Sequence, residues 1–475
     1  VSQLHDLTAA EQLHALRTRE VSSRELTEHY LARIDRLAEP LGAFVTVAHD
    51  HALEAADRAD AQLAADAGGP LTGLPIGIKD LHATAGIATS AGSRALAGFV
   101  PSNDSWTVGL LRRAGAVFLG KTSTSELGAA CYTEDDVTGR AAVTPFDPGR
   151  YSSGSSGGAA TAVAAGLLPV AHGSDSAGSI RTPAATCNLV GFKPSRGLVS
   201  TAPASSYLAF GTEGPVARTV EDAAILLDAM ASRHPGDLYG WRPDESFAAT
   251  SGRAPERPLR IAMWTDPGLD GVAEDAHITA AVHEVAAALR AEGHEVQEVE
   301  IPARLDERVV SALRVWLTSA VAMSAAAVVP ASRHEQLTEL TRFLMAQARA
   351  YSGNDVLAAQ AVLAGFASRY LAALDEFDVA LTPTTSRPPV PRGHFLADGL
   401  EAVLDSMLAW SAPTPWVNLT GQPALALPAG FTIDGLPLSV QLVGHARADG
   451  TLLALGRQIE SMRGWRDAHP AVWEE

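Results

Sequence analysis

Lysine is almost missing from this chain. Of its 36 basic residues only Lys79, Lys121 and Lys193 are lysines, and the rest are arginines. A retained lysine is therefore suspect, because a buried lysine can lose its proton and an arginine practically cannot. Cysteine is nearly as scarce. Cys131 and Cys187 cannot frame a chain of 475 residues with disulfides, and reduced thiols suit a cytoplasmic protein. Both read as small packed or pocket-lining residues. The opening residues lack a basic stretch followed by an apolar core, so no signal peptide is expected. Long apolar runs are missing too. The longest, Val315 to Ala331, is broken by Thr318, Ser319 and Ser324. It falls short of the ~20 residues of a membrane span and reads as a buried or pocket-facing helix. Positive charge is outweighed to a formal net charge of -18. That excess repels phosphate backbones and anionic lipid, so neither nucleic acid nor membrane is an expected partner. No His/Cys/Glu spacing suggests a metal site, and no Walker or Rossmann loop suggests a nucleotide; no cofactor is expected.

What is present is ordinary globular composition, 47% hydrophobic and 19% charged. Thr8-Ala-Ala-Glu11 and Ser22-Ser-Arg-Glu25 are capping boxes that open helices. Leu26, Tyr30, Ile34 and Leu37 recur at helical spacing. Gly73–Asp80 reads as a strand ending in a polar loop, and helix Trp106–Arg113 leads into strand Ala116–Leu119. Leu259–Trp264, a helix near Ile278–Glu292 and Glu295–Ile301 form a βαβ-like unit. Ser251–Pro258 is the best linker candidate. Long helices follow Ala303, then strands Asp378–Leu381 and Leu438–Val443. This alternation predicts an α/β fold, a mixed twisted sheet covered by helices on both faces. Residues 1–475 are expected to form one domain, with its core over about 70–230 and a helical pocket part over about 303–416.

From Tyr151 to Gly197 the chain turns rich in Gly, Ser and Ala. Glycines beside serines permit tight turns in which backbone N–H groups converge on one point. A serine held there is unobstructed and close to such donors, as a nucleophile beside an oxyanion hole must be. The motifs are Gly77-Ile-Lys79-Asp, Gly120-Lys-Thr-Ser-Thr-Ser-Glu126, Gly154-Ser-Ser-Gly-Gly158, Gly173-Ser-Asp175 with Gly178-Ser-Ile-Arg181, Gly191-Phe-Lys-Pro194 and Thr420-Gly-Gln-Pro423. In this order the chain resembles the amidase-signature hydrolases from about Val1 to Val443. Its central block is closest in style to 6-aminohexanoate cyclic-dimer hydrolases and related nylon- and urethane-cleaving amidases.

The resemblance implies a Lys–Ser–Ser triad. Lys79 is the base, Ser155 bridges through a cis peptide bond, and Ser179 is the nucleophile that carries the acyl group. The oxyanion hole is expected from the backbone N–H groups of Ser176, Ala177, Gly178 and Ser179. Ser156, Asp175 and Arg181 are expected to support the site. His172 beside Asp175 is expected to pack near the strand end rather than join a Ser-His-Asp triad. Lys121 and Lys193 are expected to be structural. Two positions depart from the family's pattern, where Ser153 and Ala177 stand in place of glycines. The expected reaction is cleavage of C–N acyl bonds in amides and anilides, extending to carbamates and esters. Pocket walls are expected from Leu127–Thr144, Ser205–Phe210, Val315–Val329 and Met407–Trp416. Their apolar character suits a small hydrophobic amide or carbamate, acted on by a monomer or homodimer. Two other readings stand beside this one: the amidase subunit of a glutamine-dependent tRNA amidotransferase, and an α/β-hydrolase esterase whose nucleophile elbow places Ser156.

Overall fold

Local chemistry starts the fold as expected. In the computed structural model, which describes residues 3–202 and 210–475, both capping boxes form. Thr8 accepts from the Glu11 N–H, and the Glu11 carboxylate accepts from the Thr8 N–H. Ser22 and Glu25 do the same for helix Ser23–Leu41. On that helix Leu26, Tyr30, Ile34 and Leu37 are all buried, since side chains at i, i+4, i+8 and i+11 share one face.

Among the described residues thirteen strands follow in chain order: β1 (Phe44–Val47), β2 (Pro75–Lys79), β3 (Val117–Thr122), β4 (Glu134–Asp135), β5 (Arg140–Ala141), β6 (Val170–Asp175), β7 (Val190–Lys193), β8 (Thr212–Ala217), β9 (Arg260–Met263), β10 (Glu295–Glu298), β11 (Val379–Pro383), β12 (Ala424–Phe431) and β13 (Pro437–Gly444). β4 and β5 pair with each other, and the other eleven form one sheet in the order β1-β3-β2-β6-β8-β7-β12-β13-β11-β9-β10. The sheet is mixed. β2 lies parallel to β3 and β6, while β6–β8 and β12–β13 are antiparallel. The expected βαβ unit is there: β9 and β10 run parallel, joined by helix Ala276–Ala291. The Ser251–Pro258 stretch leads from helix Phe247–Ser251 into β9 of the common sheet.

Successive strand residues point to opposite faces, so each strand feeds two cores. Phe118 belongs to the core on the face covered by helices Val220–Met230, Ala276–Ala291 and Asp449–Arg463. Its neighbours Val117 and Leu119 pack with Ser23–Leu41, His49–Ala64 and Gly157–Ala164. Beyond β12, the second face is covered by Glu307–Val328, Gly353–Ala373 and Pro415–Thr420 around Trp264, Tyr370 and Trp416. The stretch read as too short for a span sits in a 22-residue helix, and both Glu307–Val328 and Gly353–Ala373 are long and apolar enough to cross a membrane. The interrupting Thr318 does not break the helix, because its hydroxyl donates to the Arg314 carbonyl one turn back. The expectation of a buried or pocket-facing helix holds for one face; on another, Met323 and Val328 are exposed.

Helix Gly157–Ala164 approaches β3 so closely that a Cβ on Gly158 would lie 2.3 Å from the Ser123 nitrogen and 2.5 Å from the Ala43 carbonyl oxygen. Both are backbone atoms and cannot swing aside. Gly158→Ala should therefore lower stability by about 1–3 kcal/mol, measured by urea unfolding; an unchanged midpoint would refute this close-packing account.

Candidate active site

The site forms where β2 and β6 end side by side. Lys79 is the last residue of β2, fully buried. Its Nζ lies 2.8 Å from Ser155 Oγ and donates to the Ser174 carbonyl at 3.1 Å. Burial lowers the Lys79 pKa from 10.5 to about 7, with Asp175 and Glu213 partly opposing. Loss of hydration penalises the ammonium, so the amine is substantially neutral near neutral pH. The Gly154–Ser155 peptide bond is cis, as the resemblance implied. Ser179 lines an adjoining cavity, and its hydroxyl has no hydrogen-bond partner among the described residues.

The two departures from glycine have different answers. Ser153 sits at φ +64°, in the left-handed region that glycine favours. Its hydroxyl donates to the Cys131 carbonyl and meets Thr182 Oγ1, both at 2.9 Å, which anchors the turn without glycine. Ala177 is not at positive φ, so its methyl costs nothing in backbone terms. Gly178 is different: at φ +129°, a Cβ there would lie 2.3 Å from Thr414 Oγ1.

A buried ion pair fixes the Ser179 loop. Arg181 and Asp175 are both wholly buried and meet in two contacts, Nε–Oδ2 at 2.9 Å and Nη2–Oδ1 at 3.0 Å. Burial alone would raise the Asp175 carboxyl, but the Arg181 guanidinium overrides it and holds it well below the usual carboxylate range. Asp175 also accepts from the Gly178 and Ile180 N–H groups, at 2.7 and 3.2 Å. Arg181 continues to Asn418, Gln441 and the Thr414 carbonyl, and the Thr414 hydroxyl donates to the Ala177 carbonyl at 2.7 Å. One expected donor is corrected by this network. The Gly178 N–H is taken by Asp175, leaving those of Ser176, Ala177 and Ser179 without acceptors among the described residues. Thr414, Asn418 and Gln441 were not singled out from the sequence as site residues. Asn418 stands two residues before the Thr420-Gly-Gln-Pro423 block, which was the one available signal.

Other expectations resolve by burial. Ser156 is fully buried and exchanges hydrogen bonds with Ser174. His172 is buried and bonds Glu213 Oε2 through Nε2 at 2.8 Å, and its Nδ1 bonds no serine among the described residues. His82 Nδ1 meets the other oxygen of Glu213 at 3.5 Å. The donor atoms of these three lie within 4.8 Å of one another, a juxtaposition that no sequence spacing announced. Lys121 donates to the His82 carbonyl, Thr84 and Thr89. Lys193 donates to the Pro194 carbonyl. Cys187 is buried, and Cys131 lines the cavity with its thiol pushed up by burial.

The cavity measures about 130 Å³. Its walls are Gly128–Cys131, the Ser176–Ser179 loop, Val310, Leu313, Trp316 and Leu317, and Leu404, Met407, Leu408 and Pro415. Three of the four expected walls contribute. The long helix presents an earlier stretch than expected, because the turns around Val310–Leu317 face the nucleophile loop. The Ser205–Phe210 wall lies outside the described residues except for Phe210, whose ring meets Trp316 at 4.8 Å. Arg314 and Asp405, paired at 2.5 Å, are the only charged lining residues among those described.

The Amidase family pattern matches residues 25–453. A putative amidase of Synechocystis sp. is 35% identical over 96% of this chain and 88% of its own length. A glutamyl-tRNA(Gln) amidotransferase subunit of Thioalkalivibrio sulfidiphilus is 34% identical over 99% of this chain and 100% of its own. Among solved structures, 6-aminohexanoate cyclic dimer hydrolase bound to substrate superposes with TM-score 0.90 at 28% identity, covering 99% of this chain and 100% of that one. A bacterial aryl acylamidase superposes with TM-score 0.90 at 25% identity, covering 100% of both chains.

Asp175→Ala would strand the Arg181 guanidinium in the interior without its counter-charge. The expected cost is about 3–5 kcal/mol, read from denaturant unfolding, with loss of hydrolysis. A variant as stable and active as the parent would remove the ion pair from its organising role.

Proposed function

The chain belongs to the amidase family and is a hydrolase of amide bonds, and we propose that Ser179 is its nucleophile, activated through Ser155 by neutral Lys79. One observation carries the reading: the buried Lys79 amine lies 2.8 Å from Ser155 Oγ, beside a cavity into which the unpaired Ser179 opens. A serine hydroxyl attacks poorly until a base takes its proton. Ser179 Oγ bonds to the acyl carbon while its proton passes to Ser155, and Ser155 gives its own to Lys79 Nζ. The carbonyl oxygen gathers negative charge opposite the free N–H groups of Ser176, Ala177 and Ser179, where each such donor is worth roughly 3 kcal/mol. The C–N bond then breaks, and the amine leaves with a proton returned through Ser155. Water deacylates Ser179 by the same relay.

The substrate class follows from the cavity. Its walls are almost wholly apolar, with Trp316 and Met407 among them, which favours neutral hydrophobic anilides and amides, and carbamates of similar shape, over zwitterionic amino acids. The likeness to aryl acylamidase supports the same reading. Ester cleavage follows from the same acyl-enzyme chemistry. A role within a tRNA amidotransferase is the competing reading, supported by the 34% identical relative. Turnover of an anilide by the purified chain alone, faster than of glutamine, decides for the free-standing amidase; glutamine cleavage only with partner chains decides against it.

Lys79→Ala should lower anilide kcat/KM by about 10²–10⁴-fold, and Ser179→Ala should abolish acyl-enzyme formation by mass spectrometry. Ser156→Ala should keep activity; its loss together with survival of Ser179→Ala would move the nucleophile to Ser156. Since the base must be neutral, wild-type kcat/KM should rise with pH through about 7 and level off above it. A profile flat from about pH 6 to about pH 10 would refute a lysine base.

A further inference from the structure

Burial alone is a poor way to make a base. It lets Lys79 lose its proton, but it also weakens the hold of the amine on the proton it must take from Ser155. A nearby anion restores that hold. The titratable and charged groups around Lys79 are Asp175 and His172 on β6, Glu213 on β8, Asp80 and His82 beyond β2, and Lys121 on β3. Asp175 also favours the Lys79 ammonium, but its carboxylate is shared with Arg181 through two contacts. Asp80 is held by Ser90 and Gly92 and faces Lys121.

Glu213 has no such cation. It pairs in register with Ser174, whose carbonyl accepts from Lys79. Glu213 is 5% exposed, and its carboxylate lies between His172 Nε2 and His82 Nδ1. The far nitrogens, His172 Nδ1 and His82 Nε2, are buried and meet no partner. A second proton on either ring would be a buried donor without an acceptor, so each ring carries one proton, on the nitrogen facing Glu213. Burial also holds His82 neutral, pushing its pKa to about 3. Two neutral imidazoles thus fix the carboxylate without cancelling its charge. Burial works to raise the Glu213 carboxyl, and the hydrogen bond from His172 Nε2 opposes it.

We propose that Glu213, gripped by His172 and His82, is a positioning residue that supplies the counter-charge for the Lys79 ammonium. It sets how far into acid the hydrolase works without touching substrate. The proposal rests on Lys79 being the base.

The test is kcat/KM for an anilide from about pH 5 to about pH 10, for wild type, Lys79→Ala, Glu213→Gln and Glu213→Asp, with thermal melting of each. Removing the anion disfavours the ammonium, so the acid limb of Glu213→Gln should move down by on the order of one pH unit. Its KM at alkaline pH should stay within about twofold of wild type. Glu213→Asp, its carboxylate drawn back, should move the limb the same way by less, and it decides the matter if Glu213→Gln does not fold. An unmoved or upward-moved limb in a folded variant overturns the proposal, and so does an equal loss at every pH, which is what a structural role gives. A wild-type limb that shifts on adding a chelator would assign the trio to a bound cation and also overturn it. Lys79→Ala as active as wild type would instead overturn the base assignment beneath it.

Discussion

The Asp175–Arg181 ion pair is the interaction on which the rest of the site depends. Two opposite charges stand wholly buried at the end of β6. Such a pair is tolerable only when both members are saturated with hydrogen bonds, and here they are. Asp175 takes the Gly178 and Ile180 N–H groups and the Asn418 amide, while Arg181 takes Asn418, Gln441 and the Thr414 carbonyl. Every one of these bonds constrains the Ser176–Ile180 loop or the segment packed on it. The loop's shape, and so the direction of its free N–H groups, follows from satisfying one buried charge pair.

That arrangement divides the chemistry between two kinds of burial. Around Arg181, charge is buried and paired. Around Lys79, charge is buried without a direct ion pair, which is what turns an ammonium into a base. The cavity beyond is apolar because its walls come from helices that also cover the sheet, so Trp316 and Leu317 serve pocket and fold together.

Elements with local causes were legible in the amino-acid sequence. The capping boxes at Thr8 and Ser22, the helix Trp106–Arg113 and the β9–β10 unit stand where the residue pattern put them. The family block led to Lys79, Ser155 and Ser179; Lys79 meets Ser155 at 2.8 Å, and Ser179 lines the adjoining cavity with Gly154. The misses have a common origin. The Gly178 N–H looked like an oxyanion donor, but Asp175, three residues earlier, claims it once the turn closes. The long helix, read as buried or pocket-facing, does line the cavity, but with an earlier stretch than its composition suggested.

By itself, the sequence determined which residue types could do acyl-transfer chemistry and which local turns would hold them, because rare lysines, glycine-serine turns and capping boxes act over a few residues. Only the tertiary structure decided which groups meet across 41 positions, as with His172 and Glu213, or across 260, as with Arg181 and Gln441. Those pairings are set by strand order and by the need to satisfy every buried polar atom, and neither is written in any short stretch of chain.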